Sequence, residues 1–382
     1  MKRLICCLDG TWDEPTDTAT LTNVVKLYNA IPAVDAAGVA QLRHYEIGIG
    51  TNSMGLRSFV SGALGLEVGD RIRSAYRFLV ANYQPGDEIH AFGFSRGAFE
   101  ARSLGGLIAL AGIVGSDALV DQAWRLYSST PSVWRTARLK ELRRQAHYPV
   151  RIRCIGVWDT VGNLGIPGVD GRFNRRFRFH DTSLSPLLDV GLHALAIDEP
   201  RGTFSPTLWT LKKGAQLQPG QAIEQVWFAG SHANVGGGLA IEGSGLSDIA
   251  LLWMAERAHT LAGIGFDFDK LRAAARPDPL AEQYSPSAAK LFRWSGVVPF
   301  IRLIKQNTRA LPWQRRLLGG WRSSKVAMGR VSINEQLHES VLERFGKAIV
   351  VRSSDGVTPS TYSPRTVAVL QAAAAPTNRT AR

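Results

Sequence analysis

The segment His90-Ala91-Phe92-Gly93-Phe94-Ser95-Arg96-Gly97-Ala98 constrains this chain more than any other. The apolar run over residues 88–92 reads as a buried strand, and Ala98, Ala101, Gly105 and Ile108 then repeat at helical spacing with small side chains. Between them a single serine stands flanked by glycines. Only a sharp strand-to-helix turn reconciles the two periodicities, and such a turn tolerates no side chain on either side of its apex. It lifts the Ser95 hydroxyl above the end of the strand and points the next helix's first N–H groups at it.

Three more short apolar runs read as buried strands: residues 4–8, 152–158 and 225–229, each ending in a turn with Gly or Asp. Val68, Ile72, Ala75, Tyr76, Leu79 and Tyr83 predict an amphipathic helix that Pro85-Gly86-Asp87 stops. Strands alternating with helices imply an α/β fold, with a mostly parallel central sheet covered by helices on both faces. The 382 residues, 45% hydrophobic and 20% charged, suffice for one large α/β domain with additions. Residues 1–275 are expected to form that domain, with 117–147 and 165–190 as helical cap insertions. Residues 276–364, which include LPWQRRLLGGWRSSK, read as a basic C-terminal extension, and 365–382 as a disordered tail.

A nucleophilic serine needs a base, which in this arrangement comes late in the chain. Of the 8 histidines, His232 stands out because VWFAGSH reads as strand, small turn, then histidine, followed by Asn234-Val235-Gly236-Gly237-Gly238. His90 and His193 fall inside apolar runs and read as structural. Asp159 closes CIGVWD at a strand's C-terminal edge and is the expected acid that orients the imidazole, giving chain order Ser, Asp, His. Asp198 and Asp248 compete for that role, although Asp248 reads as a helix N-cap after Ser247 and Asp198 as a partner of Arg201. For the oxyanion and substrate, the candidates are Gly10 and Thr11 in the turn after the first strand and Arg96 beside the serine.

Lys and Arg number 45 against 32 Asp and Glu, a formal net charge of +13, which points to an anionic surface or partner. RFNRRFRF at residues 172–179 alternates cations with phenylalanine, a pattern suited to the head-group region of an anionic membrane. No nucleic-acid motif accompanies the charge. Cys6, Cys7 and Cys154 offer neither a disulfide framework nor a zinc-ligand spacing, which fits folding in a reducing compartment. The apolar core of the N-terminus is too short for a signal peptide, and residues 105–115 fall far below the roughly 20 that a membrane span needs. The chain is therefore expected to be cytoplasmic as synthesised, with signal-independent secretion left open.

LDGTWDEP, TNVVKLY, HYEIGIGT, GFSRGAFEAR, GVWDTVG, LAIDEPRGTFSPTLW and VWFAGSHANVGGG follow one another over about residues 2–260. In that order they resemble the α/β-hydrolase domain of type VI secretion phospholipase effectors of the first class, once catalogued as a domain of unknown function. The resemblance implies the α/β-hydrolase fold and phospholipase A-type cleavage of acyl esters with no metal or other cofactor, with Ser95 as nucleophile, His232 as base and Asp159 as acid. The chain departs from the family pattern at Asn234, where an acidic residue is usual, and lacks large membrane-anchoring insertions. Two other readings stand beside it: a soluble carboxylesterase or thioesterase, and a non-catalytic basic binding module on the same fold. Any immunity or secretion partner is beyond the reach of the sequence.

Overall fold

Strand-forming runs in this chain are apolar on both sides, so they require cover above and below, and parallel pairing supplies it. The computed structural model describes residues 1–10, 20–48, 63–161, 184–286, 300–304, 322–323, 330–353 and 355–367. Its central sheet has 7 strands: β1 Arg3–Leu8, β2 Gln41–Glu46, β3 Glu88–Phe94, β4 Ile152–Trp158, β5 Leu188–Ala196, β6 Ala222–Phe228 and β7 Glu335–Leu337. The spatial order is β7-β6-β5-β4-β3-β1-β2, and every neighbouring pair is parallel. Along β1, Leu4, Cys6 and Leu8 face one core while Ile5 and Cys7 face the other.

The first core lies under α2 (Ala63–Asn82) and α3 (Arg96–Ala111), with α4 (Val120–Ser128) and α5 (Val133–Arg143) packed outside them. Val68, Ile72, Ala75, Tyr76 and Leu79 of α2 are all buried. Burying an aliphatic or aromatic side chain of this size contributes about 1.5–3 kcal/mol. The second core lies under α1 (Asn23–Asn29) and α7 (Gly245–Ala262), on the opposite face. Helices thus cover both faces, and the architecture is that of an α/β hydrolase.

Three strands carry no clear signal in the sequence. β2 is an edge strand whose residues are mostly half-exposed, so it lacks an apolar run. In β5, LDVGLHALA, the apolar run is long enough to read equally as a buried helix. β7 comes from the C-terminal region, whose Ile304, Val341, Ile349, Tyr362 and Val367 share a third core with Leu195 and Trp227.

The chain builds β2 on one side of β1 and then crosses to build β3 on the other. That reversal opens a crevice above the carboxyl ends of β1 and β3, the usual place for a site in an open α/β sheet. Ser95 follows β3 directly. RFNRRFRF at 172–179 and Thr11 lie outside the described residues, as do all of PWQRRLLGGWRSSK at 312–325 except 322–323 and most of the 165–190 insertion.

Candidate active site

At the end of β3, Ser95 takes φ 58°, ψ −116°, a conformation that ordinary side chains rarely adopt. Its N–H still donates to Trp158 O at 3.0 Å, so the sheet ladder runs up to the turn itself. The flanking glycines are there for closeness of approach. A Cβ on Gly93 would lie 2.2 Å from Gly97 O, and one on Gly97 would lie 2.0 Å from Leu8 O. Further along α3, a Cβ on Gly105 would meet Ile155 Cδ1 at 2.6 Å, the tight helix-on-sheet packing expected of the small residues there.

His232 opens α6 (His232–Gly236), just past the end of β6. Ser231 caps this short helix reciprocally with Asn234, whose Oδ1 accepts the Ser231 N–H at 3.1 Å. Asn234 therefore orders the turn with its amide oxygen, where the resembled motif carries an acid. The imidazole lies between Phe94 and Phe204, with ring centroids 4.6 and 5.0 Å away. Its Nε2 is 2.8 Å from Ser95 Oγ, and its Nδ1 is 2.6 Å from Asp159 Oδ2. With Nδ1 as donor, Nε2 is left to accept the serine proton. The His232 backbone N–H donates to Glu199 Oε2 at 3.2 Å, and Glu199 is paired with Arg201.

Asp159 follows β4 with φ 42° and is fully buried. Oδ1 accepts the Ala196 N–H at 3.1 Å, and the Arg302 guanidinium, itself fully buried, donates to both carboxylate oxygens. Burial alone would raise the Asp159 carboxyl. The Arg302 charge and the His232 hydrogen bond outweigh it and hold the group far below the usual carboxylate range. The structure thus brings together Ser95, His232 and Asp159 from three strand ends that are far apart in sequence.

The competing acids are engaged elsewhere. Asp198 accepts the Gly230 N–H at 2.7 Å and the Tyr362 hydroxyl at 3.0 Å, and burial pushes it up to about 6. Arg201 pairs with Glu199 rather than with Asp198, because Glu199 turns inward beside it. Asp248 is not an N-cap: α7 begins at Gly245 with Ser244 in that place, and the Asp248 carboxylate pairs with Lys26 at 2.7 Å. His90 and His193 are buried inside β3 and β5. His193 Nε2 accepts the Thr160 N–H at 3.2 Å, and burial lowers it to about 3, so it is neutral.

Gly10 lies beside the serine, where a Cβ placed on it would come 3.4 Å from Ser95 Cβ, yet its N–H donates to Asp9 Oδ1 at 2.7 Å. Asp9 also accepts from Thr22 Oγ1 at 2.6 Å and from the Tyr45 hydroxyl at 2.7 Å. The Arg96 side chain reaches a buried charge cluster with Arg71 and Glu100, where burial pushes Glu100 up to about 8 against both cations. Among the described residues no group of three or more His, Cys, Asp or Glu side chains is placed to hold a metal. Glu199, Phe204 and Arg302 escape sequence reasoning. The first two lie in LAIDEPRGTFSPTLW, a motif with no mechanical signature, and Arg302 is one of 45 Lys and Arg with nothing in its spacing to mark it.

Comparisons with known proteins bear on the same region. The family model described as "T6SS, Phospholipase effector Tle1-like, catalytic domain" matches residues 2–257. An uncharacterized protein of Saccharomyces cerevisiae is 31% identical over 233 residues, which cover 55% of this chain and 33% of the yeast protein. The chain thus spans about a third of that relative's length. Among solved structures, an uncharacterized protein from Pseudomonas aeruginosa aligns at 18% identity and a TM-score of 0.42, over 69% of this chain and 46% of that one. A metagenomic carboxyl esterase aligns at 11% identity and a TM-score of 0.29, over 72% of this chain and 74% of the other.

Proposed function

The chain belongs to the family of Tle1-like catalytic domains of type VI secretion phospholipase effectors, and on that basis we propose that it is a serine ester hydrolase of phospholipase A type. The observation that carries the reading is the continuous relay from Ser95 Oγ through His232 to Asp159, at 2.8 and 2.6 Å. In this mechanism Nε2 removes the Ser95 proton as the oxygen attacks the acyl carbonyl. Asp159 stabilises the resulting imidazolium, which then returns the proton to the leaving alcohol. Water, activated by the same imidazole, hydrolyses the acyl-enzyme. The Arg96 N–H, directly after the nucleophile at the start of α3, donates to the oxyanion. Thr11 is the candidate for the second donor, since the Gly10 N–H already serves Asp9.

A phospholipid substrate requires approach to a membrane, and α5 favours that approach. Arg71 of α2 donates to Asp9 O at 2.8 Å, so the start of α2 lies at the catalytic end of the sheet. α4 runs back up along α2, pairing Asp117 with Arg77 just before it, Asp121 with Arg73, and Trp124 with Gly69. α5 then descends: Arg135 donates to Leu126 O at its start and Arg143 to Leu110 O at its end. Val133 and Trp134 therefore project at the catalytic end, 89% and 61% exposed, with the exposed Arg138 guanidinium over the Trp134 ring. An apolar tip with a cation against it suits an anionic lipid interface. Among the described residues no helix is long and apolar enough to cross a membrane.

The test is hydrolysis of anionic phospholipid vesicles and of a short p-nitrophenyl ester, with Ser95→Ala as control. Wild type should cleave both, and the variant should lose about 10⁴- to 10⁶-fold in turnover. A fluorophosphonate should label wild type and miss the variant. Retained activity or labelling in Ser95→Ala refutes the reading, and cleavage of the short ester alone makes the protein a soluble carboxylesterase.

A further inference from the structure

We propose that Arg302 is a positioning residue of the relay, which holds both oxygens of Asp159 and sets the charge that His232 meets. The inference rests on the relay reading above. Arg302 lies beyond residues 2–257, the part of the chain that the family model matches. The site therefore draws on the C-terminal region as well as on the matched domain.

The guanidinium is 0% exposed and forms a fork against the carboxylate: Nη1 donates to Oδ1 and Nη2 to Oδ2, the latter at 3.0 Å. Nη1 also donates to Ala196 O at 2.8 Å, at the end of β5, and Nη2 to Phe204 O. Phe204 is one of the two rings against the imidazole, so a single side chain fixes the acid and anchors a wall of the base. Two residues further on, Ile304 sits in the third core and its N–H donates to Thr366 Oγ1. Held at both ends, the fork keeps the carboxylate plane from rotating, and Oδ2 stays in line with His232 Nδ1. A lysine cannot do this, because one ammonium does not match two oxygens.

The charge has a separate effect. A lone carboxylate beside an imidazole favours the imidazolium, which is useless as a base. Arg302 offsets that field while the acid still orients the ring. Other groups around the relay alter this little. Glu199 faces the His232 backbone but is paired with Arg201. His193 on β5 is neutral, and Asp198 faces Tyr362 and the Gly230 N–H. Arg102 of α3 donates to Thr207 O and acts on His193.

The experiment is the pH dependence of kcat and kcat/KM on a short p-nitrophenyl ester for wild type, Arg302→Gln and Arg302→Lys, with thermal melts of each. Arg302→Gln keeps donors but no charge. Its acid limb should move up, and kcat should fall about ten- to a hundredfold with KM nearly unchanged. Arg302→Lys keeps the charge but not the fork: the limb should stay in place while kcat falls. A folded Arg302→Gln with the wild-type profile would make Arg302 a stability element only. Equal limb shifts in both variants would likewise overturn the charge argument. If Arg302→Gln does not fold, Arg302→Lys decides, since wild-type kcat there refutes the positioning role. Fluorophosphonate labelling of wild-type Ser95 reports on the relay reading independently, so the two failures are distinguishable.

Discussion

Asp159 and Ser95 both hold φ in the left-handed region, at 42° and 58°, on adjacent strand ends. Such conformations cost on the order of 1–3 kcal/mol each and persist only where surroundings over-determine them. For Asp159 the surroundings are the Ala196 N–H, the His232 ring and the Arg302 fork. This changes what Asp159→Asn should do. Asparagine favours the wrong imidazole tautomer, so turnover should drop about 10⁴-fold. It also leaves a buried cation unbalanced, which typically costs about 3–5 kcal/mol, so the melting temperature should fall as well. Asp159→Asn with Arg302→Gln should regain much of the thermal stability and stay inactive. Melts and ester assays check both halves. If Asp198→Asn or Asp248→Asn loses more activity than Asp159→Asn, the acid has been misassigned. The sign with pH follows from the depressed Asp159 carboxyl. Its contribution to stability is complete above the unfolded value of about 3.9 and is lost as pH falls below it.

At the level of elements, the site is a matter of strand ends. β1, β3, β4, β5 and β6 finish at one edge of a parallel sheet, and Asp9, Ser95, Asp159, Glu199 and His232 follow them there. On the proposed reading, α5 brings that edge to the membrane. Val133→Ser with Trp134→Ala touches only exposed side chains of α5, so the melting temperature should not change. Vesicle hydrolysis should fall severalfold, while hydrolysis of a short soluble ester should stay at the wild-type rate. Salt should act in the same selective way, because exposed cations near an anionic surface each contribute about 1 kcal/mol within a Debye length of about 10 Å at 0.1 M. Equal losses on vesicles and soluble ester would remove α5 from membrane approach.

Over the whole molecule, the matched region and the C-terminal region share one sheet and one core. β7 closes the sheet beside β6, with the Trp227 indole donating to Glu335 Oε2 at 2.9 Å. Removing everything after residue 275 would open that edge, uncover Trp227 and Leu195, and delete Arg302. Such a truncated chain should melt without a cooperative transition, and adding it to an ester assay should give no turnover. A cooperative melt would show that residues 1–275 fold independently.

Local sequence alone dictates the turn around Ser95, because Gly93 and Gly97 admit no other geometry there. It also dictates the α2 face and the positions of Asp159 and His232 at strand ends, since these are encoded in neighbouring residues. Local pattern could not identify β2 and β5, one half-exposed and the other ambiguous between strand and buried helix. Which of Asp159, Asp198 and Asp248 reaches the His232 ring belonged to tertiary structure, because it depends on which strand lies next to β3. So did the engagement of Gly10 by Asp9 and the arrival of Arg302 at Asp159. Arg302 and Asp159 are brought together by packing of the third core, and no periodicity along the chain records a contact of that kind.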